Sequence, residues 1–194
     1  MQNQPLLYAI NSIINLTEQE EVLLISKIKK RKYLRNQYLV QQGDVCNTVS
    51  LVISGCLKTF YVDNQGNEHV VLFAIEDWWS ADLGSFITQT PADFNVQCIE
   101  DTILFQFTYE DLNYLYVEIP KLERFFRVLV EKALVSTQKR IIRNFSLTAK
   151  ERYLKFREIY PKMDQRVPQY LIASYLGITK EFLSKIKSQL ILEQ

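Results

Sequence analysis

The chain has 194 residues, with 23 lysines and arginines, 22 aspartates and glutamates and one histidine, for a formal net charge of +1. Near-neutrality argues against indiscriminate polyanion binding, and this length accommodates one medium and one small domain. No apolar run is long enough to span a bilayer and no basic-then-apolar leader opens the chain, so a cytoplasmic protein without a membrane partner is expected.

In chain order, Thr17-Glu18-Gln19-Glu20 has the spacing of a capping box and predicts an amphipathic helix through Val22, Leu23, Ile25 and Ile28. From Tyr38 to Phe107 the pattern changes to short β-rich runs at 51–53, 57–62, 70–75 and 103–107. Turns at Gly43-Asp44, Ser54-Gly55 and 63–67 separate them. Short strands at close spacing predict a sandwich or jelly-roll barrel. Thr108, three residues before Asp111, caps a further helix, and Pro120 opens a long helical stretch to about Asn144. Its apolar stripe of Leu122, Phe125, Phe126, Leu129, Val130, Ala133 and Ile141 is wide enough to want two partners, the barrel and a second copy of the helix. A hinge is expected at Phe145-Ser146-Leu147, before the capping box Thr148-Ala149-Lys150-Glu151.

The most informative stretch is 166–187. Pro168 starts a short helix whose apolar positions are Leu171, Ile172 and Leu176, with Ala173 small enough for a close crossing. Gly177 suits a left-handed helix end, and Thr179 can cap a second helix. In that second helix Phe182, Leu183, Ile186 and Leu190 should face inward, leaving Lys180, Glu181, Ser184, Lys185 and Ser188 outside. Two helices joined by such a turn predict a helix-turn-helix, with double-stranded DNA as partner. Charge supports this: residues 1–120 hold 7 basic against 15 acidic side chains, a balance of −8, and residues 121–194 hold 16 against 7, or +9. A basic half is the electrostatic footprint of phosphate contact.

Catalysis and metal binding find little to build on. Cys46, Cys56 and Cys98 show no Cys-x-x-Cys spacing and read as reduced apolar residues, and His69 is the only histidine. No metal, no cofactor and no enzymatic activity are expected; a cupin-like enzyme would need metal-binding histidines.

The order of parts resembles the Crp/Fnr family of bacterial transcription regulators, and in particular its compact Bacteroidetes-type members. Gly43-Asp44, Ser54-Gly55-Cys56-Leu57, the Gly66/Glu68 hairpin, Pro120 and Arg166-Val167-Pro168-Gln169 carry the likeness. It implies an α+β chain: a cyclic-nucleotide-binding-like, jelly-roll-type β-roll over 1–118, a dimerisation helix over 119–144 and a winged-helix-like helix-turn-helix domain over 145–194. Few residues follow Lys187, so the C-terminal wing is expected to be lacking, with backbone contacts falling to Lys150, Arg152 or Arg166.

By family position Lys180, Glu181, Ser184 and Lys185 would contact bases. Gln169, Tyr170, Thr179, Lys187 and Arg166 would lie near phosphates, and Leu122, Phe125, Phe126, Leu129 and Ala133 would form the dimer helix. Implied partners are DNA, a second copy of the chain, RNA polymerase and an unknown small-molecule effector. Relatives that bind cyclic nucleotides carry a Gly-Glu pair for the ribose and an Arg for the cyclic phosphate. Here the corresponding stretch is Ala81, Asp82, Leu83, Gly84 and Ser85, followed by Asp93 and Phe94, with no Arg between Lys58 and Lys121. The effector pocket is therefore expected to be degenerate and cyclic AMP a poor ligand. The alternative is a small-molecule-binding sensor module without DNA-binding activity.

Overall fold

A computed structural model describes residues 4–192. The chain opens with α1 (Gln4–Asn11) and α2 (Glu18–Lys27), followed by β1 (Lys29–Tyr33), β2 (Tyr38–Val40), β3 (Thr48–Ser54), β4 (Leu57–Val62), β5 (Glu68–Ala74) and β6 (Trp79–Ser80). The short helix α3 (Leu83–Thr88) precedes β7 (Asn95–Cys98) and β8 (Thr102–Thr108), and the remainder is helical. Two antiparallel four-stranded sheets, ordered β1-β8-β3-β6 and β2-β7-β4-β5, form the roll. Alternation sorts its side chains: Leu51, Leu57, Val96, Leu104 and Phe107 fill the interior, while Cys56, Phe60, Val70 and Phe73 point out of the second sheet.

The predicted caps form as read. Thr17 and Glu20 exchange side-chain bonds with each other's backbone N–H, as do Thr148 and Glu151, and Thr108 accepts from the Asp111 N–H. In α2 the buried residue is Leu24, while Val22 is exposed, so the helix is rotated relative to the stripe expected.

After α4 (Tyr109–Glu118), α5 (Lys121–Ser146) runs without interruption. It continues through Phe145 and Ser146, and the break falls at Leu147, the last residue of the expected hinge, whose backbone is extended. Then come α6 (Ala149–Ile159), α7 (Met163–Arg166), α8 (Gln169–Leu176) and α9 (Lys180–Leu192). These helices are not separate from the roll. Phe73 of β5 meets Phe156, Tyr160 and Tyr175 at ring-centroid distances of 6.1, 5.9 and 5.5 Å, and one apolar cluster joins them to Cys56, Phe60, Leu171, Ile172 and Leu183. The Val70 N–H donates to Ser174 Oγ (3.0 Å), and that hydroxyl donates to the Glu68 carbonyl (2.8 Å), stitching α8 to β5.

Candidate nucleic-acid interface and sensor cavity

The turn between α8 and α9 is built as its residues require. Gly177 sits at φ 68°, left-handed, and its N–H closes α8 on the Ala173 and Ser174 carbonyls. Thr179 Oγ accepts from the Phe182 N–H at 3.1 Å, capping α9. Ala173, Leu183 and Ile186 are buried where the helices cross. Lys180, Glu181, Ser184 and Lys185 share one exposed face of α9. Phe182, expected inside, is 48% exposed. Leu183, Ile186 and Leu190 define the centre of the buried stripe, and at 100° per residue Phe182 falls on its margin.

Of the residues expected near phosphates, Gln169, Tyr170 and Thr179 are exposed around the start of α8 and the turn. Two others are committed elsewhere. Lys187 is paired with Asp164 at 3.2 Å, a carboxylate that also accepts from the Tyr153 hydroxyl at 2.7 Å. Arg166 faces back into the roll. Its guanidinium makes a bidentate pair with Glu76, both bonds at 2.9 Å, donates to the Gly55 carbonyl at 3.0 Å and pairs with Glu100. Burial opposes ionisation of Glu76, but Arg166 and the Gly55 N–H outweigh it and hold the carboxyl below the ordinary range. Bonds to Glu76 and Glu100 raise the Arg166 guanidinium further. Gly55 has to be glycine, because φ is +111° and a Cβ would lie 2.4 Å from Thr102 Oγ. Arg152 is likewise structural, donating to the Leu147 carbonyl at 2.9 Å across the α5–α6 break.

Leu122 and Phe125 are buried within the chain's own roll, and Phe126 and Leu129 pack partly against it, Phe126 against the Trp79 ring at 5.2 Å. Of these four, expected at a dimer interface, Leu122 and Phe125 belong to the intramolecular core, while Phe126 and Leu129 are covered by it only in part. A stripe shows that a helix is covered, not by what. Ala133 is exposed. The uncovered apolar face lies further along, at Val130, Leu134, Ile141, Ile142 and Phe145, the last 87% exposed.

The sensor stretch also differs from expectation. Asp82 is 4% exposed; one oxygen accepts from the Ser85 N–H at 3.0 Å and the other from the Phe94 N–H at 2.9 Å. Its carboxylate thus occupies backbone donors that an incoming anion would otherwise use. Ser85, expected in the pocket, is buried, and its Oγ accepts from the Cys46 N–H at 2.8 Å. Ala81, Asp82, Leu83, Gly84, Asp93 and Phe94 do line a cavity of about 450 Å³. Its far wall was not read from the sequence: Ser136, Thr137, Arg140 and Arg143 of α5 close it together with Tyr160 and Tyr175. The available signal was a pair of arginines three residues apart, one helical turn beyond two hydroxyls.

Burial pushes the Cys56 thiol up to about 12 and that of Cys98 to about 11, so both stay protonated. Among the described residues no cluster of His, Cys, Asp or Glu could hold a metal ion, and no helix is long and apolar enough to cross a membrane.

A two-sheet roll, a long connecting helix and a helix-turn-helix thus follow one another along the chain. The cyclic nucleotide-binding domain family matches residues 30–118. The chain is 25% identical over 185 residues to the anaerobic regulatory protein of Haemophilus influenzae, covering 88% of this chain and 70% of that protein. To the transcriptional activator protein Anr of Pseudomonas aeruginosa it is 27% identical over 144 residues, 74% of this chain and 58% of the relative. The structure of FixK2 from Bradyrhizobium japonicum superposes with a TM-score of 0.74 at 17% identity, covering 86% of this chain and 85% of that one, a likeness of fold.

Proposed function

We propose that the chain works as a homodimeric, sequence-specific DNA-binding regulator of the cytoplasm, without enzymatic activity, whose roll responds to a small molecule other than cyclic AMP. The observation that carries this reading is the exposed face of α9. Lys180, Glu181, Ser184 and Lys185 stand together on a helix held rigidly by buried Leu183 and Ile186, the arrangement that major-groove recognition needs. Gln169, Tyr170 and Thr179 flank it as phosphate contacts. The exposed apolar face from Val130 to Phe145 supplies the contact with a second copy, and twofold DNA sites favour two such helices. RNA polymerase is the further partner that this class of activity calls for. Against cyclic AMP stand the missing arginine and the internal carboxylate of Asp82 on the donors at Ser85 and Phe94.

A mobility-shift titration on the promoter of the protein's own gene tests the reading. Lys180→Ala and Lys185→Ala should each weaken specific binding by about 1–3 kcal/mol. Binding that is absent at every salt concentration, or indifferent to both substitutions, would overturn it.

A further inference from the structure

The cavity's charge does not balance. Arg143 lines it, partly buried, and its guanidinium makes no hydrogen bond or ion pair among the described residues. Arg140 beside it is held by the Val71 carbonyl, by the Val70 carbonyl at 3.5 Å and by the Tyr175 ring 4.4 Å away, none of which neutralises it. Two lining residues are carboxylates. Asp82 is occupied by the Ser85 and Phe94 N–H groups, and Asp93 is exposed. Leaving a partly desolvated guanidinium unpaired costs free energy that an anion would recover, and the planar donor fork of arginine matches carboxylate and phosphate alike. The opposite walls offer Trp78, Phe94 and Tyr160 as apolar and aromatic surface. At about 450 Å³ the space falls within the range of small-molecule sites.

We infer that the effector is a small organic anion with an apolar or ring-shaped body, anchored by Arg143 and Arg140 of α5. This deepens the proposed function and rests on it. The anchoring differs from that implied for cyclic-nucleotide-binding relatives, whose arginine follows the Gly-Glu pair within the roll. Here the backbone donors at Ser85 of α3 and at Phe94 are already taken, and the charge comes from the connecting helix. The wall also includes Ile159 and Tyr160 of α6 and Tyr175 of α8. An anion at Arg143 therefore touches the roll, the connecting helix and the first helix of the DNA-binding motif at once. Its binding energy bears on how α8 sits against the roll, which is the differential contact a two-state regulator requires.

The test uses the full chain in thermal unfolding and calorimetric titration, with phenyl phosphate, benzoate and neutral benzyl alcohol as probes at matched ionic strength. At least one anion should raise the melting temperature saturably and benzyl alcohol should not; which anion responds separates a phosphorylated from a carboxylic ligand. Because Arg143 bonds no other group, Arg143→Gln should melt as the parent does, yet weaken the responding anion by about tenfold or more. Asp93→Asn, removing a like charge at the mouth, should tighten it. No response to either anion, an equal response to benzyl alcohol, or unchanged affinity in Arg143→Gln overturns the inference. A chain that shifts its operator but ignores both anions refutes this inference alone, whereas anion binding without any DNA binding refutes the reading beneath it.

Discussion

Replacing Arg166 by alanine removes the ionic joint between the C-terminal helices and the roll. The guanidinium makes two bonds to Glu76, one to the Gly55 carbonyl and a pair with Glu100. A fully buried pair broken on one side costs about 3–5 kcal/mol, and an exposed one about 0–1 kcal/mol. The side chains here are 27% exposed for Arg166 and 41% for Glu76, so solvent screening discounts the buried figure and about 1–2 kcal/mol is expected. For a chain of this size that lowers the melting temperature by about 2–8 °C. A double-mutant cycle with Glu76→Gln isolates the pair, since Glu76 keeps its bond from the Gly55 N–H in either background. The folded-state carboxyl of Glu76 is depressed, so the stabilisation is present above the unfolded glutamate value, about 4.3. It is lost as pH falls through the lower folded value, and the difference between parent and Arg166→Ala should shrink in strong acid. Hydrogen exchange should quicken in β5 and α8 together. A coupling energy below about 0.3 kcal/mol, within the error of additivity, would refute the clamp.

Phe145→Glu, at the most exposed apolar position of α5's distal half, should convert a dimer into a monomer in sedimentation and remove the concentration dependence of the melting temperature; an unaltered dimer would move the interface elsewhere. Cyclic AMP should leave the melting temperature unchanged, and a saturable rise would show that the Asp82 carboxylate yields to the ligand. Asp82→Ala removes the cap of α3 and the bond to the Phe94 N–H, so a loss of about 0.5–2 kcal/mol is expected in denaturant unfolding.

What the sequence discloses here follows the range of the physics. The caps at Thr17, Thr108 and Thr148, the left-handed Gly177 and the run of β4 are local, and all form where the residues place them. β1 escaped notice because Lys29–Tyr33 reads KKRKY, without alternation. It is an edge strand paired only with β8, and edges favour charge. The face of α9 was legible because a stripe of apolar residues dictates its complement. The fates of Arg166 and Leu122 were not. An arginine ahead of a helix-turn-helix points to phosphate unless Glu76 and Glu100 are known to lie beside it, and a stripe on α5 does not say whether roll or second helix covers it. The same limit hid the cavity's cationic wall, which α5 supplies from more than forty residues beyond the sheet positions it faces.

Selection of binding sites from a pool of random duplexes by the purified full chain is the most direct test of the central claim, that α9 reads DNA in a twofold assembly. The account predicts enrichment of an inverted repeat with half-sites about one helical turn apart, and with Lys185→Ala a relaxed preference at a defined position in each half-site. No enriched sequence, or an identical motif from Lys185→Ala and Lys180→Ala, would contradict it.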